Sequence, residues 1–66
     1  MLDDNVYNLM EQATTESKSL WRIRNHYKKD AEANPVLLAF WKEMEGQKEQ
    51  NVMTLTELVR AALGEK

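Results

Sequence analysis

The sequence predicts an all-α fold, an antiparallel two-helix hairpin that dimerises into a four-helix bundle. Three observations carry that expectation. Apolar residues recur at helical spacing along nearly all of the 66 residues. One strong break, "EANPVLL", divides the chain in two. No run alternates apolar and polar residues in the manner of a strand.

The first helix is expected from about Asp4 to Ala33, with Asp3 and Asp4 at its positively polarised start. At 100° per residue, Val6, Leu9, Met10, Ala13, Leu20, Ile23, Tyr27 and Ala31 gather into one arc. Asn34 suits the N-cap of the second helix, and Pro35 stands where a first helical residue tolerates proline best. That helix runs to about Leu63 and is stopped by Gly64. Its arc holds Leu37, Leu38, Trp41, Met44, Val52, Leu55, Leu58, Val59 and Ala62. Each helix is about 30 residues, or about 45 Å long. A short connection folds them back antiparallel, so that facing residue numbers sum to about 67. Leu9 then meets Leu58, Ile23 meets Met44, and Tyr27 meets Phe40.

The whole of 1–66 is expected to form one domain, too small to bury a comfortable core alone. There is no cysteine, hence no disulfide, thiolate metal site or cysteine nucleophile. One histidine is too few for an imidazole-built zinc site within one chain. Oligomerisation is the remaining route to stability. Met10, Trp21 and Phe40 widen the apolar arcs beyond what one partner helix covers, and a two-fold homodimer is the simplest remedy. Net charge is −2, with nine basic and eleven acidic residues interspersed, so no nucleic-acid partner is expected. The longest apolar run, "VLLAFW", falls far short of a membrane span, and the acidic "MLDDN" is unlike a signal peptide. A cytoplasmic protein without a membrane partner is expected.

The stripe of the second helix is interrupted at "EGQKEQN", residues 45–51, and the pairing rule sets this waist against "TTESKS", residues 14–19. Glu16 and Arg24 fall inside the arc of the first helix, with Ser17 near them. Glu45 and Lys48 fall inside the arc of the second, with Asn51 at its edge, while Gly46, Gln47 and Gln50 project outside. One reading makes Glu16 and Glu45 carboxylate ligands of iron or manganese in the bundle core. The other makes Glu16, Arg24, Glu45, Lys48 and Asn51 a charge-compensated polar core layer, with Glu16 reaching Lys48 and Glu45 reaching Arg24. Two inward acids and two inward bases sum to zero, whereas a hard cation requires a surplus of anionic oxygen. The count favours the polar layer and no cofactor. Gly46 lies level with Trp21 and is expected to leave room for that indole or for another helix.

His26 lies off the apolar arc, one turn before Asp30, and reads as exposed. No nucleophile–base–acid set accompanies it, and no glycine-rich phosphate loop occurs, so no catalytic residue is assigned and an enzyme is disfavoured. Trp21 and Trp41 read as packing; a small-ligand site in a bundle core rests on them alone. The basic "KSLWRIRNHYKK" is balanced by Glu43, Glu45 and Glu49.

Taken together, "NLMEQATTESKSLW" and "ANPVLLAFWKEMEGQKEQNV" make the chain similar to the short ferritin-like hairpins, the encapsulin-associated ferritins and rubrerythrin-like proteins. The resemblance implies dimerisation into a four-helix bundle. It also implies iron held at the dimer interface by a first-helix glutamate and a second-helix Glu-x-x-His. Glu16 matches the first. Lys48 and Asn51 stand where the motif's Glu and His would, and a one-residue shift places Gln47 and Gln50 there instead. The motif is degenerate in both registers, so the resemblance implies the architecture of the family without its ligands. The function expected is a non-catalytic assembly or interaction module, the alternative being a non-haem iron-binding protein.

Overall fold

In the computed structural model the described residues are 4–64. Helix α1 spans Asp4–Arg22, a π-helical turn follows at Ile23–Tyr27, a short α2 covers Lys28–Asp30, and α3 spans Pro35–Ala62. The fold is all-helical, and α3 returns antiparallel along the first helical arm as expected. Asp3 and the outermost residues of the 1–66 span lie outside the described residues.

The hinge forms as the sequence requires. Asn34 sits in an extended conformation (φ −122°, ψ 98°), and its side-chain oxygen accepts from the Leu37 N–H at 3.1 Å. That bond satisfies one of the donors a helix start leaves open, and Pro35, lacking a donor, fits the first turn. The Asn34 N–H donates to the Ala31 carbonyl at 2.9 Å and closes the turn. At the far end Gly64 takes φ 80°, which suits glycine, and its N–H reaches the Ala61 carbonyl at 3.1 Å.

The first arm departs from expectation in two ways. It stops at Asp30, with residues 31–33 already in the turn, three residues before Ala33. It is also not uniformly α. Through Ile23–Tyr27 the winding is looser, and the Lys28 N–H donates to the Ile23 carbonyl five residues back. Asn25 Nδ2 donates to the Trp21 carbonyl at 2.9 Å beside this turn. A π-turn holds one extra residue and so shifts every later side chain in phase relative to an unbroken α-helix.

The core is thin. Val6, Leu20, Ile23 and Ala31 are buried, and Ile23, 1 % exposed, is the one large side chain sealed completely among the described residues. No residue of α3 is buried. Of its expected arc, Leu38, Trp41, Met44, Val52, Leu55 and Val59 are half-buried, while Leu37, Leu58 and Ala62 are exposed. Met10 and Tyr27, expected inside on the first arm, are exposed as well. One helix can cover only one flank of another, and both arcs are wider than that. The particle measures 48 × 19 × 13 Å. Its radius of gyration, 14.8 Å, exceeds the roughly 11 Å of an equally long globular chain. Among the described residues no helix is long and apolar enough to cross a membrane.

Candidate functional site

Midway along the hairpin the two polar waists do meet. Glu16, on the inner side of α1, is 7 % exposed and is the one buried charged residue among those described. Lys48 Nζ donates to Glu16 Oε2 at 2.9 Å, and Asn51 Nδ2 donates to Oε1 at 2.7 Å. Their numbers sum to 64 and 67, which is the expected height. Both carboxylate oxygens are engaged from one helix, Lys48 and Asn51 lying three residues apart on the same flank of α3. These contacts hold the Glu16 carboxyl below the ordinary glutamate value of 4.5. The Lys48 bond contributes most and the Asn51 bond next, against an opposing push from burial.

A second cluster lies nearer the hinge. Lys28 Nζ donates to Glu45 Oε1 at 2.8 Å, and Arg24 Nε donates to Oε2 at 3.0 Å. Arg24 also reaches Glu49 through its other guanidinium arm at 3.3 Å. Glu45 is held below its ordinary value, first by Lys28 and then by Arg24. The Arg24 guanidinium is held above its own, first by Glu45.

The structure thus brings together all five residues of the expected layer, as two adjoining clusters. Glu16 pairs with Lys48 and Asn51, and Glu45 pairs with Arg24. Burial is less than the arcs implied: Arg24 and Asn51 are exposed, and Glu45 and Lys48 half-buried. Lys28 was not among the expected layer residues. A uniform 100° step already sets it at the angle of Met10, on the edge of the arc, and just past the π-turn it donates to Glu45 at 2.8 Å. Glu49 was expected only as a surface neighbour of the basic stretch, and its role as second partner of Arg24 adds the third acid. With Lys28 and Glu49 included, the layer holds three acids and three bases and stays neutral.

The donor set does not fit iron or manganese. Both candidate ligands, Glu16 and Glu45, spend their oxygens on cationic or amide donors. Among the described residues no three of His, Cys, Asp and Glu are grouped to hold a metal. Lys48 and Asn51 complete hydrogen bonds to Glu16. An ammonium at 2.9 Å supplies the positive charge that a metal would otherwise bring.

The remaining candidates fall outside this layer. His26 is exposed and its ring meets Trp21 edge-on, with centroids 5.0 Å apart. Trp41 packs between Tyr27 and Phe40, at 4.8 and 4.9 Å. The two tryptophans therefore belong to different ring clusters and do not line one pocket. Trp21 does not pack against Gly46, contrary to expectation: a Cβ built on the glycine meets nothing within 4 Å. Its side of α3 faces open space, so an intrachain packing reason for the glycine is absent. The chain matches no protein-family model, no curated protein and no solved structure.

Proposed function

We propose that this chain is a non-catalytic assembly module, a helical hairpin that pairs with a second copy to complete a four-helix bundle of ferritin-like architecture. The observation that carries the reading is the apolar surface left in water. Val36, Leu37, Phe40, Met53, Leu58, Met10 and Trp21 are all exposed, against only four buried apolar residues among those described. A monomer of 7.7 kDa ordinarily exposes about 4,300 Å², whereas this chain exposes 5207 Å². The polar layer supports the same reading. Neutral, hydrogen-bonded charge clusters add little net stability but fix which residues face each other. Here they set the height at which the two arms lock, which gives an assembling surface a defined shape.

Sedimentation equilibrium over a micromolar to millimolar range tests the proposal. A reversible dimer is the expected species. A helical chain that stays monomeric throughout that range refutes it.

A further inference from the structure

Resting on that reading, we propose that the second copy docks along one flank of α3, on a seam formed by Leu37, Phe40, Met44, Asn51, Leu55 and Leu58. These residues recur at steps of three, four and seven, and at 100° per residue they fall within about 60° of one another. They adjoin the flank that faces α1, and Asn51, whose amide reaches Glu16, marks the border between the two. That flank carries Leu38, Trp41, Glu45, Lys48, Val52 and Val59, and its centre lies roughly 80° round the helix from the seam. A helix with two apolar flanks at nearly a right angle is built for two neighbours, and the hairpin supplies only one.

Every seam residue retains exposed surface. Leu37, Phe40, Asn51 and Leu58 are exposed, and Met44 and Leu55 are half-buried. The competing face lies on α1, where Met10 and Trp21 are exposed. Tyr7 is exposed on that side too, but Thr14, Ser17 and Lys18 come between Met10 and Trp21, so the apolar contacts of α1 are broken by three polar residues, one of them charged. The seam of α3 has one polar step, at Gln47 and Asn51, and no charged residue.

Two quantities identify the occupant as a second copy. The surface in excess of an ordinary monomer is about 900 Å² (5207 Å² less roughly 4,300 Å²). A stable protein pair buries about 800 Å² per partner, so the excess matches in size what one second copy covers. A seam without charge also meets its own image with no like-charge penalty. Asn51 stands at the middle of the seam with its amide nitrogen bonded to Glu16 at 2.7 Å. The approaching helix therefore meets a fixed polar group at one height, the kind of group that sets register between helices.

The test uses the full chain in four variants, Phe40→Glu, Leu58→Glu, Met10→Glu and Trp21→Glu, followed by sedimentation with helicity checked by circular dichroism. Charging the seam should weaken dimerisation at least about 30-fold in either α3 variant, while either α1 variant changes it less than about 3-fold. The reverse pattern overturns the seam and leaves self-association standing; a monomeric parent instead overturns the assembly reading itself. Single-tryptophan chains give an answer that does not depend on the charged variants folding. In Trp21→Phe the remaining Trp41, beside Phe40, should shift to the blue and resist acrylamide as concentration rises through the dimer range. In Trp41→Phe the remaining Trp21 should report no change. Shielding of Trp21 with Trp41 unaffected overturns the proposal.

Discussion

Replacing Lys48 with methionine keeps the length and apolar stem of the side chain and deletes its charge. In the parent, Glu16 keeps 9 % of its side-chain surface in water and Lys48 keeps 23 %, with 2.9 Å between their charged atoms. A hydrogen bond to a charged group contributes about 1.5–3 kcal/mol. Partial exposure of the ammonium sets this pair at the lower end, and Asn51 continues to hold one carboxylate oxygen. The expected loss is therefore about 1–2 kcal/mol at neutral pH, or a fall of about 5–15 °C in midpoint for a chain of this size. Unfolding followed by circular dichroism measures it, at one fixed protein concentration because self-association couples to stability. The loss carries a pH signature. Glu16 is held below 4.5 in the folded state, so its contribution is complete above that pH and vanishes as pH falls through the lower folded value. The gap between parent and variant should be full at pH 7 and close in acid. A gap under about 0.3 kcal/mol, or one as wide in acid as at neutrality, refutes the assignment of Lys48 as the principal counter-charge.

Glu45→Gln should flatten the acid limb of the parent's stability profile. Glu45 too is held below 4.5, by Lys28 and Arg24, and stabilises only above its folded value; an unaltered acid limb would show that these contacts do not persist in solution. Gly46→Ala should raise stability by about 0.5–1 kcal/mol, since the new methyl meets nothing and glycine costs that much inside a helix. A loss in thermal midpoint would reveal a neighbour packed against Gly46. Ile23→Ala should cost about 2–4 kcal/mol, enough to leave so thin a core largely unfolded at 25 °C by urea titration; a loss below about 1 kcal/mol would show that Ile23 is not the centre of the core.

The start of α3 was fully legible because its chemistry is local. Asn34 and Pro35 specify a helix start whatever surrounds them, and the cap bond to Leu37 forms as their identity demands. The height of the polar layer was legible because a hairpin with a known hinge has one arithmetic of facing residues. Glu16 therefore met Lys48 as expected, and Asn51, expected only at the edge of the layer, joined them. Lys28 was passed over although a 100° step sets it at the arc's edge with Met10, because it was read as part of a balanced basic surface. Burial was misjudged for a different reason. Periodicity reports which side of a helix is apolar, not how many helices are present to cover it. Leu37 and Leu58 thus read as core from spacing and yet stand in water in the single chain.

The paired groups are graded by their distance along the chain. Lys28 and Glu45 are 17 residues apart, Arg24 and Glu45 are 21, Glu16 and Lys48 are 32, and Glu16 and Asn51 are 35. Bringing the outermost pair together directly costs about 0.6 kcal/mol more chain entropy than closing the innermost. Once Lys28 holds Glu45, the loop left to close for Glu16 and Lys48 falls to 15 residues, the difference between 32 and 17. Closure from the hinge outward is therefore the path of least entropic resistance. It would order amide protection against hydrogen exchange as a gradient, greatest near Ile23 and least toward Asp4 and Leu63.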